Sequence, residues 1–162
     1  MTEPLGRVVA IFTAPDKGVP MEKQASVFAS AGKGLEGDRY ARKLGSFSLI
    51  RTEVVRHVTL ISDEGFDAST DWLRLKGMPT FDRFETRRNI YTYGVDVNDL
   101  VGKEFLVGEV RMRGVELADP CNRPSALARK KGFREAFGGR AGIRAAVLTD
   151  GDIEFGSEIR LA

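Results

Sequence analysis

The sequence predicts a mostly β domain of the α+β class, a barrel-like sheet interrupted by two or more short helices. Three observations carry that expectation. Short runs with the two-residue alternation of half-buried strands recur along the chain. Glycines punctuate those runs at turns. Only two stretches show helical spacing, too few for the regular strand and helix alternation of a parallel α/β sheet. The 162 residues are read as a single domain spanning 1–162, because no linker, repeat or low-complexity tract divides them.

Leu5 to Thr13 alternates as an opening strand and is closed by the turn signal Ala14-Pro15-Asp16-Lys17-Gly18. Val54 to Ile61 is a second β-rich run. Ser62 then has the character of an N-cap, with Asp63 and Glu64 in the first helical turn. Phe66, Thr70 and Leu73 recur at helical spacing up to Leu75, and Gly77 and Pro79 end the helix. Arg88 to Tyr93, Glu104 to Val107 and Glu109 to Leu117 read as strands, the last two joined tightly at Gly108. Pro124 to Phe137 reads as one helical stretch. Ile143 to Thr149 and Asp152 to Phe155, joined by Asp150-Gly151, read as a hairpin, since Asp-Gly supplies the positive φ angles of a two-residue primed turn.

Composition excludes several classes. The chain is 42% hydrophobic and 30% charged, and no apolar run approaches the roughly 18 residues that cross a bilayer. Met1-Thr2-Glu3-Pro4 lacks the basic and apolar regions of a secretory signal, so a cytoplasmic address is expected. The net charge of +2 does not itself call for a polyanionic partner. Charge is uneven, however: from Arg111 to Arg144 nine basic residues face three acids. That segment is either a solvated face or an anion-binding one.

There is one cysteine, Cys121, and one histidine, His57. No disulfide forms within such a chain, and a structural zinc site with its set of thiolates and imidazoles cannot be assembled. A transition metal must therefore arrive inside a cofactor. Gly32, Gly34 and Gly37 match the dinucleotide fingerprint in letters only. The residues from Asp38 to Ser46 show no helical apolar stripe, and the acid about 20 residues beyond is missing. The glycines are read as serving a backbone turn.

Cys121 lies in Leu117-Ala118-Asp119-Pro120-Cys121-Asn122-Arg123-Pro124, after a strand and before a helix whose first turn Pro124 suits. Backbone N–H groups and Arg123 favour the thiolate there, while Asp119 opposes it. On spacing alone a functional thiol and a small buried hydrophobe both stand open. His57 sits inside a strand-like run and is read as structural, not as the partner of a Cys-His dyad. Arg87-Arg88-Asn89 begins a strand, and alternation places Arg87 and Asn89 on one face, where two planar polar groups can clamp an oxyanion or a heterocycle edge. A charged, solvated strand edge is the other reading.

Taken in order, Gly34-Leu35-Glu36-Gly37-Asp38-Arg39-Tyr40, Arg87-Arg88-Asn89-Ile90, Gly102 to Val110, Pro120-Cys121, Gly138-Gly139-Arg140-Ala141-Gly142 and a final Gly151 to Ile159 hairpin resemble the MOSC family. The family takes its name from the C-terminal domain of molybdenum cofactor sulfurases and includes small stand-alone bacterial members. The resemblance implies a β-barrel that meets the pterin-based molybdenum cofactor, molybdopterin. It makes Cys121 the counterpart of the family's cysteine, which ligates molybdenum or carries sulfur as a persulfide. Arg87 and Asn89 match the Arg-x-Asn of related amidoxime-reducing proteins and are implied cofactor contacts. The cofactor's phosphate calls for converging cations, for which Arg39, Arg123 and Arg140 are the candidates, and Ser62 caps a helix that can take phosphate. One departure stands out: Ala118 occupies the place of a second cysteine found in many stand-alone members.

Three functions follow as expectations. The first is an oxidoreductase reducing small N-hydroxylated or N-oxide molecules with Cys121 on molybdenum and electrons from a separate reductase. The second is a persulfide carrier loaded by a cysteine desulfurase. The third is a non-enzymatic anion-binding module built on the Arg111 to Arg144 stretch. No membrane surface is expected among the partners, and nucleic acid ranks below a small molecule and a protein donor.

Overall fold

The computed structural model describes residues 3–42 and 55–162. Seven strands close into a barrel: β1 (Gly6–Thr13), β5 (Val58–Ser62), β6 (Ile90–Tyr93), β7 (Glu104–Val107), β8 (Val110–Leu117), β9 (Ile143–Val147) and β11 (Glu158–Leu161). Their order around the barrel is β11-β7-β8-β9-β5-β6-β1, and a β1 to β11 pairing completes it, which leaves these strands without a free edge. Only β5 and β6 pair in parallel within the barrel. A parallel pair needs a long crossover. Helix α1 (Asp63–Leu75) and a 3₁₀ turn (Arg83–Thr86) provide it. Strand β2 (Glu22–Gln24) extends the sheet from β1, and β3 (Ser26–Ser30), β4 (Gly34–Leu35) and β10 (Gly151–Glu154) form a separate sheet in the order β10-β3-β4.

Strand alternation divides the core in two. Val8, Ile11, Leu60, Ile90, Phe105, Met112 and Ile143 pack together inside the barrel, where the small sheet contributes Val27, Ala29, Leu35 and Ile153. Ala10, Phe12, Ile61 and Tyr91 point the other way, onto Phe66 and Leu73 of α1 and onto Phe133 and Phe137. The barrel strands β1, β5 and β6 are thus covered on both faces, and the helical layer lies over the side that carries the candidate site.

Several expectations are corrected. The stretch from Pro124 to Phe137 forms two helices, α2 (Arg123–Ala128) and α3 (Phe133–Ala136). Arg129 and Gly132 take positive φ angles of 56° and 98° between them, which right-handed helix cannot accommodate. Asp150-Gly151 does not turn a hairpin, and Gly151 to Ile159 does not form one either, since β11 pairs with β1 and β7 and not with β10. β9 pairs with β5 and β8, whereas β10 pairs with β3, and Asp150 Oδ1 accepts a hydrogen bond from the Ala31 amide at 2.7 Å. Long-range pairing overrides the local turn signal. The strand expected from Val54 begins at Val58, and Val54 lies outside the described residues, as do Lys43 to Ser46. Among the described residues no helix follows Gly37, whose neighbours to Arg42 are turns, so the glycines serve the backbone there.

Two predictions arise from the fold. Gly142 has φ +89°, and a Cβ on it would stand 2.0 Å from the Leu60 carbonyl oxygen of β5. Gly142→Ala combines left-handed strain with a backbone clash and is expected to lower unfolding free energy by on the order of 4 kcal/mol in urea titration. His57 is half-buried, and its Nδ1 accepts from the Val147 amide at 2.9 Å. Burial, and then the Arg113 charge, hold its pKa below the ordinary 6.5. The folded state therefore prefers neutral imidazole. Its contribution is complete above the unfolded pKa and is lost as pH falls below it. Wild type is expected to lose stability relative to His57→Gln between about pH 7 and pH 5, and equal slopes in urea titrations would remove His57 from the account.

Candidate functional site

The site is assembled from the turn after β4. Gly34 has φ +129°, and a Cβ there would stand 2.3 Å from the His57 carbonyl oxygen, so only glycine lets this segment lie against the barrel wall. The turn delivers Asp38, fully buried, beneath the loop that follows β1. Asp38 Oδ1 accepts from the Ala14 amide at 3.0 Å and from Arg39 Nη1 at 3.1 Å, and Oδ2 accepts from the Tyr40 amide at 3.3 Å. Arg39 in turn donates from Nη2 to the Arg87 carbonyl at 3.0 Å, and its guanidinium lies 4.3 Å from the centre of the Tyr40 ring. One buried carboxylate thus fastens the β1 loop, the Asp38 turn and the arginine pair at 87–88.

Arg87 ends the 3₁₀ turn in the left-handed region, φ 65°, before β6 begins. Alternation consequently does not govern it. Its side chain is 8% exposed and donates from Nη1 to the Val19 carbonyl, and no carboxylate pairs with it among the described residues. Burial first, and then the neighbouring Arg39 and Arg123 cations, bring its pKa down to about 10. Tyr40 and Asp38 oppose that shift in part.

Arg88 reaches across to the Cys121 loop. Its Nε donates to the Ala141 carbonyl at 2.7 Å and its Nη2 to the Ala118 carbonyl at 3.0 Å. Burial lowers its pKa, and Tyr40 and Cys121 are among the groups that oppose that shift electrostatically. The Ala118 amide donates to the Gly142 carbonyl at 2.9 Å, which holds the same loop from its other side. Beyond it Cys121 is exposed, with Asn122 and Arg123 leading into α2. Arg123 is exposed, and its Nη2 lies 3.9 Å from the point where a Cβ on Gly18 would stand. A small cavity of about 80 Å³, lined by Gly18, Pro20, Phe84, Glu85, Arg87, Leu127 and Ala128, lies alongside.

Of the residues expected at the site, the structure gathers Arg39, Arg87 and Arg123 near the Cys121 loop and sends three elsewhere. Asn89 is fully buried. Its Oδ1 accepts from the Thr59 amide and hydroxyl at 3.0 and 3.1 Å, and its Nδ2 donates to the Phe12 carbonyl at 3.0 Å. It fastens β1, β5 and β6 and shares no face with Arg87, because the strand starts only at Ile90. Ser62 and Arg140 line a different cavity, of about 350 Å³, with Glu64, Asp96 and Asn98. Ser62 Oγ caps α1 by accepting from the Gly65 amide at 3.1 Å. Arg140 donates to Ser69 Oγ at 3.0 Å and to the Ala136 carbonyl at 2.7 Å. Sequence reasoning missed Asp38 and Tyr40, although the turn motif contains both, and it assigned Arg88 to the opposite face.

A closed barrel that presents a single thiol on an arginine-anchored loop defines the class. The chain belongs to the MOSC domain family, whose model matches residues 48–160. That family is generally linked to the molybdenum cofactor. Among solved structures, the YuaD protein of Bacillus subtilis is 17% identical over 98% of this chain and 97% of its own, with a TM-score of 0.76. YiiM of Geobacillus stearothermophilus is 17% identical over 97% of this chain and 75% of its own, with a TM-score of 0.70. YiiM of Escherichia coli is 16% identical over 96% and 69%, with a TM-score of 0.62. At these identities the likeness is one of fold. No curated protein matches the sequence. Among the described residues no helix is long and apolar enough to cross a membrane.

Proposed function

We propose that this MOSC domain binds the molybdenum cofactor with Cys121 as its protein ligand and reduces small N-hydroxylated or N-oxide molecules, using electrons from a separate reductase. The observation that carries this reading is an exposed thiol two residues before Arg123, whose charge acts on Arg87, a buried guanidinium that no carboxylate pairs with among the described residues. The donor set fits the group. A thiolate is a soft ligand, and a lone one suits a metal that brings its other ligands with it. Arg87 and the exposed Arg123 meet the demand of a phosphate, which prefers guanidinium forks. Arg39 is bound to Asp38 and to the Arg87 carbonyl, so its part is to orient Arg87. Arg88 is bound to two carbonyls and sets the position of the Cys121 loop.

When bound, the cofactor supplies the redox chemistry that breaks an N–O bond with release of water. The chain's own contribution is to hold Cys121 at the surface beside the cations, where substrate and donor both reach it. Asn89, Ser62 and Arg140 are left out of this reading because their side chains are engaged elsewhere.

A second reading rests on the exposure of Cys121 together with the burial of Ala118, the position of the second cysteine in related chains. The Cys121 thiolate takes the outer sulfur of a desulfurase persulfide, whose inner sulfur leaves as thiolate, and no internal thiol then displaces it. One experiment separates the two. Protein purified from cells that make the cofactor is expected to hold near-stoichiometric molybdenum, and Cys121→Ser at least about ten-fold less, a loss of about 1.4 kcal/mol. Equal molybdenum in both would overturn the first reading. A one-sulfur mass gain at Cys121 after incubation with a desulfurase, without bound metal, would establish the second.

A further inference from the structure

The face beside Cys121 has an apolar centre and a basic border. Val19, Phe84 and Leu127 are 38%, 38% and 39% exposed, and the latter two line the cavity of about 80 Å³. From Pro120 to Arg134 the chain contains no acid and five cations. Lys130 Nζ pairs with Glu85 at 2.6 Å and so ties the segment after α2 to the 3₁₀ turn. Arg123, Arg129, Lys131 and Arg134 are exposed and make no ion pair among the described residues. Within the same Arg111 to Arg144 stretch the half-buried Arg111 pairs with Glu104 and Arg144 with Glu116, while the exposed Arg113 of β8 makes no ion pair among the described residues. Arg113 apart, the exposed unpaired cations of the Arg111 to Arg144 stretch therefore fall on α2, α3 and the turn between them, in the segment that follows Cys121.

We propose that this face docks an acidic protein surface, with one short aliphatic side chain of the partner entering the cavity and its carboxylates meeting Arg129, Lys131 and Arg134. Charge complementarity identifies the partner as anionic. Its centre identifies it as a protein. Phe84 and Leu127, exposed side by side at the cavity mouth, offer an aliphatic side chain the apolar contact that a phosphate chain cannot use. A border of unpaired cations around a desolvated centre is the arrangement that speeds encounter and fixes register in transient complexes. The need for a partner rests on the reading above, in which electrons or sulfur reach Cys121 from another protein. The binding itself does not require bound metal.

The test uses metal-free, isotope-labelled full-length protein and a synthetic peptide of alternating Asp and Glu with one central Leu, followed by amide chemical shifts. Saturable shifts are expected at Phe84, Leu127 and Arg129, weakening as salt is raised. Exchanging the peptide's Leu for Ser is expected to weaken binding about five-fold. Arg129→Glu with Lys131→Glu, both on exposed positions, is expected to weaken it at least about ten-fold while leaving molybdenum retention unchanged. Leu127→Asp is expected to do the same through the apolar centre. Absence of saturable shifts would overturn the proposal, as would equal affinity for the Ser peptide. Tighter binding of single-stranded DNA or of phosphatidylserine vesicles at the same amides would overturn it in favour of those ligands. Peptide binding without molybdenum retention in the wild type leaves the docking surface standing and the cofactor reading fallen.

Discussion

Asp38→Ala is expected to lower unfolding free energy by about 3–5 kcal/mol, the cost of leaving a buried charge without its partner. Asp38 and Arg39 are 0% and 4% exposed, so solvent does not screen the pair. The substitution strands the Arg39 cation and also removes the acceptor of the Ala14 and Tyr40 amides. Asp38→Asn keeps an acceptor for Ala14 and is expected to recover about 1–2 kcal/mol of that loss. Because Arg39 holds the Arg87 carbonyl, the alanine variant is also expected to loosen the loop around Val19. Urea titration reads the first effect and hydrogen exchange over residues 14–20 the second. A loss below about 1 kcal/mol would show that the pair does not fasten the site.

Arg88→Ala is expected to cost on the order of 3 kcal/mol, because the Ala118 and Ala141 carbonyls each lose a charged donor. Its local effect is more informative than its global one. The loop from Ala118 to Asn122 retains its bond to Gly142 but loses its tether to the start of β6, so its amides are expected to exchange faster and molybdenum retention to fall. Arg88→Lys is expected to rescue little, since an ammonium cannot span two carbonyls with the geometry of a guanidinium fork. Unchanged exchange at residues 118–122 would mean that Arg88 serves the barrel alone and does not position Cys121.

The sequence disclosed whatever local chemistry decides. Ser62 caps α1, the helix ends at Leu75 before Gly77, and the opening strand runs to Thr13. The barrel was legible from the spacing of short strands and from the motif order, because each motif carries a backbone requirement, as Gly34 and Gly142 do. Long-range pairing was hidden. Asp150-Gly151 satisfies the local rule for a hairpin, yet β10 finds its partner in β3, more than a hundred residues earlier, and Asp150 supports that union through Ala31.

The site was legible in its types and less so in its directions. Cys121 and the convergence of arginines are what the family resemblance implies, on motifs whose order the sequence carries. The split between Arg87, Arg88 and Asn89 does not, because alternation presumes a strand where the backbone instead turns left-handed at Arg87. Asn89, polar and adjacent to arginines, is a fully satisfied core tie that only the surrounding strands reveal. Arg140 is similar, an arginine in a matching motif whose guanidinium is taken up by Ser69 and Ala136.

The central claim is that Cys121 and Arg87 form one receptor, the sulfur for a metal and the guanidinium for an anionic group of the same ligand. Molybdenum retained after gel filtration, measured on Arg87→Met and Cys121→Ser beside the wild type, tests it most directly. Each substitution is expected to reduce retention at least about ten-fold while the unfolding midpoint in urea moves little for Cys121→Ser, whose side chain is exposed. Wild-type retention in Arg87→Met, with its fold intact, would separate the arginine from the thiol and contradict the account.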